Sequence, residues 1–389
     1  MEDPMESEER AVAEDLRLQL QQRSSHEPKW SKEEALRWVD EHRELFAGMM
    51  SVSLGDQGNG LDVVESVRRY LEGVTLVNPY DDLLTHSIMQ TLCKEVEEAC
   101  KNLGIALRSG VAYGSTKSLE VEAARYPVHF TEASVISLSK GFILFCSDVS
   151  KVFALSLPHD GEGEMVKVIV ESSPVYAKIG LDANLKYHWT EVIGAYAYGS
   201  GPANVKHRTV PHPASITRTQ VMWAMERFSV AHEYAHHVAG HGARQFATKG
   251  VDPEGLLEEY EADVFGLGLG RYLGANETPQ NVWAMSGAGA ALLLKCLECV
   301  RRARQVLLTG DDVVRGSGSH PEVSDRIEAF NYLDPSLPER ERIDFGKLRD
   351  SVATLMDSVW PKLKRYYVMM YENGLRPESA CDDSWLPRL

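Results

Sequence analysis

His232-Glu233-Tyr234-Ala235-His236, with Glu259-Tyr260-Glu261-Ala262-Asp263 beginning 23 residues after His236, is the stretch that decides how the chain folds. Two imidazoles at i and i+4 lie only about 40° apart around a helix, so both reach one tetrahedral metal ion. Glu233 projects from the adjacent strip, where it takes a proton from a water held at that metal. With 13 histidines in 389 residues, chance produces such a segment in roughly a few per cent of chains. The following helix therefore carries much of the weight.

That helix is expected over about 256–273. A catalytic zinc site needs a third protein ligand, and a carboxylate beside two histidines is a standard set, which points to Glu259. Glu259, Ala262, Gly266 and Gly270 recur at helical spacing and form a stripe nearly bare of side chains. Each glycine inside a helix costs about 1 kcal/mol relative to Ala. Gly266, Gly268 and Gly270 together thus indicate close packing against a second helix. Asp263, one turn after Glu259, is spaced to accept an N–H from a ligand histidine. The competing interpretation is an acidic helix start that complements the dipole, which leaves the small-residue stripe unexplained.

HExxH followed by ExxAD resembles the gluzincin metallopeptidases, and two branches fit: the HtpX and CAAX-prenyl-protease branch, and the soluble ImmA/IrrE branch. The resemblance implies a zincin-like α+β fold, zinc on His232, His236 and Glu259, and Glu233 as general base. It covers roughly residues 215–335. Ser319-His320-Pro321-Glu322-Val323-Ser324-Asp325-Arg326-Ile327 is similar to the HPxxxxRI segment of the HtpX-like branch, which brings His320 and Arg326 near the cleft. A three-histidine metzincin site is excluded, because position 242 is Gly and His241 falls one residue early. The short span from His236 to Glu259 is more like ImmA/IrrE, whereas His320-Pro321 leans towards HtpX. Phage-exclusion proteases of the Lit type also carry HExxH.

His320 follows the Gly- and Ser-rich run at 316–319 and precedes Pro321, a residue that favours the first turn of a helix. It is either an oxyanion stabiliser or a surface residue at a helix entry. Arg326 is either its companion cation or the salt-bridge partner of a nearby carboxylate. Tyr196 or Tyr198 is a further candidate for the oxyanion, and Val192–Ala197 is the candidate edge strand for an extended substrate. His237 and His241, on a neighbouring helix face, read as solvent-facing or as supports of the ligands.

The remainder of the chain frames this site. A net charge of −16 and a pI near 5.3 oppose an electrostatic nucleic-acid or anionic-membrane binder. The acidic N-terminus is unlike a secretory signal, and the longest apolar run, near Ala288–Leu294, is far short of a membrane span. A cytoplasmic protein without a membrane span is expected. Six scattered cysteines do not make a disulfide scaffold, and Cys296-Leu297-Glu298-Cys299 reads as core thiols on a helix. Residues 1–29 read as a mobile polar arm, 30–104 as helical, 105–210 as a small β-rich region of about five strands, and 211–389 as the helical metallopeptidase core. Phe142-Ile-Leu-Phe and Val166-Lys-Val-Ile-Val are among the expected strands. Helices are expected at about 216–240, 280–308, 323–332 and 345–371.

The functional expectation is a zinc-dependent endopeptidase acting on one or a few cytosolic protein or peptide substrates. The ImmA-like resemblance implies a stress or phage response. The alternative is a non-catalytic zinc-binding interaction protein, in which Glu233 would have no purpose. Nothing in the sequence sets an oligomeric state.

Overall fold

The computed structural model describes residues 4–24, 31–45, 47, 60–73, 78, 80–160, 167–170, 172–199, 201, 205–206, 208–212, 214–241, 253–313 and 321–377. Among these the order is α1 (Pro4–Ser24), α2 (Lys32–Glu41), α3 (Gly60–Gly73), α4 (Leu83–Asn102), β1 (Val111–Thr116), β2 (Ala123–Pro127), β3 (Ser134–Ser139) and α5 (Lys140–Ser156). There follow β4 (His159–Asp160), β5 (Lys167–Val168), α6 (Ser172–Leu181), α7 (Ala183–Tyr198), α8 (Ala214–Ala239), α9 (Pro253–Ala275) and α10 (Val282–Ser286). The chain closes with α11 (Ala288–Thr309), α12 (Val323–Ala329), a 3-10 turn (Phe330–Ser336) and α13 (Glu339–Glu372). This is an α+β architecture dominated by helix.

The main sheet has the order β1-β3-β2, with β1 parallel and β2 antiparallel to the central β3. All six residues of β3 are buried, as expected of a central strand covered on both faces. β2 is an edge. In its register Ala124 and Tyr126 pair with β3 through their backbone groups and Glu122 O accepts from the Ser139 N–H, so Ala123 and Arg125 turn their N–H and C=O groups away from it.

α8 is the axis of the molecule. It packs on α4, α5, α9, α10, α11 and the sheet, and it is buried on every side from Ala224 to Ala235. The sequence suggests one inward face through Val221, Met225, Phe228, His232, Ala235 and Ala239. Polar residues on the other faces are also buried, and two of them are partnered on neighbouring elements. Arg227 pairs with Glu95 at 2.8 Å and with Glu277, and the Tyr234 hydroxyl donates to Glu97 at 2.7 Å.

Glu226, on the same helix, is the exception: its Oε1 is buried with no hydrogen-bond partner among the described residues. Burial raises its pKa to about 8, against the opposing pull of Arg227 and Arg218. The folded state therefore holds a proton that the unfolded chain releases, so stability falls as pH rises from about 4.5 to 8. Glu226→Gln is expected to remove this dependence and to stabilise the protein by a few kcal/mol at pH 8, at about 1.4 kcal/mol for each tenfold difference in proton affinity. Urea unfolding of both proteins at pH 5 and pH 8 checks this; a gain independent of pH would contradict it.

Five expectations are corrected. Residues 4–24 of the supposed mobile arm form a docked helix, because Ala13, Leu16 and Leu20 make a narrow apolar stripe against Ala112, Val128, Ala133 and Val135. Arg17 fixes the docking by donating to Tyr113 O at 2.6 Å. Among its described residues, the region 105–210 is mainly helical after β3, with three strands in the main sheet and a separate two-stranded ladder rather than about five together. Phe142–Phe145 begins α5, where Ser139 caps the helix by accepting from the Phe142 N–H at 2.9 Å. Val192–Ala197 lies inside α7 and is no edge strand. Of the expected strand Val166–Val170, Val166 lies outside the described residues, Lys167–Val168 forms a strand and Ile169–Val170 does not.

The helix expected at 280–308 is broken at Gly287, whose positive φ of 78° closes α10 before α11 begins. A side chain there would also meet Leu267 Cδ1 at 2.7 Å. Cys296 and Cys299 are buried in α11, as core thiols.

Candidate metal centre and substrate cleft

α8 and α9 carry the donor groups. Gly266 of α9 faces α8 so closely that a Cβ would lie 3.2 Å from Phe228 O and 3.3 Å from His232 N. The bare stripe therefore has its packing reason at Gly266. Gly268 and Gly270 do not share it, since a Cβ on either would make only ordinary contacts at 3.7 and 3.9 Å. Two turns before Gly266, this approach brings Glu259 to the histidines.

His232 Nε2 lies 3.1 Å from His236 Nε2, and each of the two lies 3.5 Å from an oxygen of Glu259. Ligands about 2.0–2.1 Å from a tetrahedral zinc stand about 3.3 Å apart. The donor set fits that ion in both spacing and chemistry, two imidazoles and a carboxylate, and His232, His236 and Glu259 form the metal-compatible cluster among the described residues.

The outer nitrogen of His236 is hydrogen-bonded and that of His232 lies beside a carboxylate. α8 ends at Gly240 with φ 69°. His241 N–H donates to His236 O at 3.0 Å and Gly240 N–H to His237 O at 3.1 Å, the paired bonds of a Schellman turn. The turn folds His241 back under His236, with their Nδ1 atoms 3.0 Å apart and His241 Nε2 3.1 Å from Glu261 Oε2. If His241 Nε2 donates to Glu261, its Nδ1 accepts from His236, and His236 Nε2 keeps its lone pair for a metal. On the other side, His232 Nδ1 stands 3.0 Å from Asp263 Oδ1, off the ideal hydrogen-bond line. The carboxylate's charge still favours a proton on Nδ1, so that a metal would displace only the Nε2 proton.

Asp263 is fully buried and is gripped by Arg326 of α12, Nε to Oδ2 at 2.6 Å and Nη2 to Oδ1 at 2.7 Å. Arg326 Nη2 also lies 3.8 Å from Glu259 Oε2. The HExxH helix, the ExxAD helix and α12 are thus joined through one planar fork. Between the alternatives open for Arg326, it is a salt-bridge partner. His320 lies outside the described residues; Pro321, next to it, lines the cleft.

Electrostatics separates the groups. Burial opposes charge on His232, but Asp263 and Glu259 outweigh it and raise its pKa to about 10. Burial and the charge on His232 push His236 down to about 3. Burial, with Glu259 adding to it, raises Glu233 to about 7, against the pull of His232, a hydrogen bond from the Arg125 backbone, and Arg326. A carboxyl in that range is suited to exchanging protons near neutrality.

A cavity of about 580 Å³ opens over these groups. One wall is the edge strand β2, whose Arg125 N–H points at Glu233. The Arg125 guanidinium donates to Ser134 Oγ at 2.7 Å and to His241 O, tying the strand to the end of α8. Another wall comes from α11. This edge escaped the sequence reading: Ala123-Ala-Arg-Tyr-Pro has no β-branched run, and its one signal is the closing proline, which suits a strand edge.

Tyr196 is not part of the cleft; its buried hydroxyl donates to Asp148 at 3.2 Å. Nor does the cleft include Tyr198, which packs against the main core. His237 is fully buried, with Nδ1 3.0 Å from Ser134 Oγ and Nε2 2.9 Å from Arg108 O. It ties α8 to β3 and is not solvent-facing, whereas His241 lies against His236. The small residues of 284–291 pack on the first half of α8, where a Cβ on Gly289 would fall 2.5 Å from Ala224 Cβ, so the next turns of α11 are the ones that reach the cleft.

Among the described residues no helix is long and apolar enough to cross a membrane. Compared with known proteins, the chain matches no family model, no curated protein and no solved structure.

Proposed function

We propose that this chain is a zinc-dependent endopeptidase with a zincin-like fold. The observation that carries the proposal is the convergence of the His232, His236 and Glu259 donors, spaced for a tetrahedral ion, with Glu233 and an open strand edge in one cleft. Zinc held there would act as a Lewis acid towards water and a peptide carbonyl. The protein's own residues would do the rest. Ala123 and the Arg125 carbonyl would pair with an extended peptide and align its scissile bond, the Arg125 N–H being directed at Glu233. Glu233 would take the proton of the attacking water and pass it to the leaving amine. His232 and Glu233 are each only 8% exposed, which supports selectivity, since a folded chain cannot reach them without presenting an extended segment.

The zinc-loaded protein, incubated with host-cell lysate and separately with unfolded casein, tests this. One or two discrete lysate cleavages are expected, with casein largely spared. Extensive casein degradation would contradict selectivity, and no cleavage of any substrate would favour a protein that only holds the metal.

A further inference from the structure

Leu293, Leu294, Leu297, Glu298 and Arg301 line the cleft along one face of α11. The leucines form an apolar wall, and Arg301 follows Leu297 by about one turn, or about 6 Å along the axis. Each of the other two arginines in the cleft is engaged: Arg125 by Ser134 and His241, and Arg326 by Asp263. Arg301 differs. It makes no ion pair among the described residues, and its Nε is buried without a hydrogen-bond partner. Its near carboxylate Glu298 is already shared by Lys295 at 3.2 Å and Arg302 at 3.8 Å. Burial lowers its pKa and the charge of Arg326 adds to this, with Glu322 and Glu298 opposing. A desolvated guanidinium edge with an unfilled donor, beside a second cation, is matched by a planar carboxylate that fills the Nε and Nη positions together.

We infer that Arg301 receives a carboxylate of the substrate, while the side chain preceding that carboxylate seats on the leucine wall of α11. This makes Arg301 a specificity-determining residue and the substrate an apolar-acidic peptide segment, and it rests on the peptidase proposal. The carboxylate comes either from an acidic side chain or from a free C-terminus.

Binding separates these without hydrolysis. The probes are three fluorescent, N-acetylated peptide pools, random but for a fixed core. One has central Leu-Asp and an amidated end, one has central Leu-Asn and a free Leu C-terminus, and one has central Leu-Asn and an amidated end. Each is titrated against zinc-supplied Glu233→Gln protein, with and without Arg301→Gln or Arg301→Lys. A carboxylate pool should bind at least tenfold tighter than the neutral pool. Arg301→Gln should abolish that preference, and Arg301→Lys, a point charge without the fork, should keep part of it. The favoured pool identifies the source of the carboxylate. Carboxylate binding to zinc is common to all three proteins and leaves the comparison intact. The zinc content of the same preparations and lysate cleavage by the wild-type chain report separately on the peptidase proposal. Equal affinity for all pools, a preference unchanged by Arg301→Gln, or no binding to any pool overturns the inference.

Discussion

Glu233→Gln is expected to keep the fold and the metal while lowering peptide hydrolysis by on the order of a hundredfold or more. Gln fills the same space and still accepts the hydrogen bond directed at position 233 by the Arg125 backbone, but it cannot exchange a proton. The loss should fall on kcat rather than KM, because Glu233 acts on the attacking water and not on the bound peptide. Wild-type kcat/KM should also decline as pH drops through the Glu233 pKa, since the proton-accepting form disappears there, and the variant should lack this limb. Single-turnover assays at several pH values, run with metal analysis of the same samples, check both outcomes. An unchanged rate would rule out Glu233 as the base, and loss of zinc along with activity would make it a structural residue.

Arg326→Met should destabilise the fold by roughly 3–5 kcal/mol, the cost of leaving one member of a buried ion pair unpartnered. Asp263 is fully buried, and although burial favours its neutral form, Arg326 and His232 hold its pKa below the ordinary value. Without the fork, that carboxylate must take up a proton or stay charged against His232 alone. Chemical denaturation in the presence of chelator isolates this effect from metal binding. The double variant Arg326→Met with Asp263→Asn should recover part of the loss, because the orphan charge is gone. If Arg326→Met cost less than about 1 kcal/mol, in the range of an exposed pair, the buried fork would not hold the three helices together.

The helices that bear the donors were legible because their chemistry is local. An i,i+4 histidine pair and a carboxylate, alanine and aspartate at helical spacing state their geometry within one or two turns. The Gly266 approach could be read from the same helical spacing. What the sequence hid depends on tertiary contact. Phe142–Phe145 and Val192–Ala197 are short apolar runs that fit a buried strand or a buried helix equally, and only the Ser139 and Asp182 caps decide for helix. The stripe of α1 is three residues wide in a charged segment, so composition masked it. His237 looked peripheral because its partners, Ser134 and Arg108, lie more than a hundred positions away. The edge strand β2 was missed because it carries no apolar alternation, yet it forms a wall of the cleft.

The zinc content of the purified chain and of Glu259→Ala tests the central claim most directly. His232, His236 and Glu259 together should hold about one zinc per wild-type chain after dialysis. Loss of one of three protein ligands should leave Glu259→Ala with little zinc under the same dialysis and a markedly weaker affinity by competition with a chromophoric chelator. Wild-type protein without stoichiometric zinc, or a Glu259→Ala variant with wild-type affinity, would contradict the account.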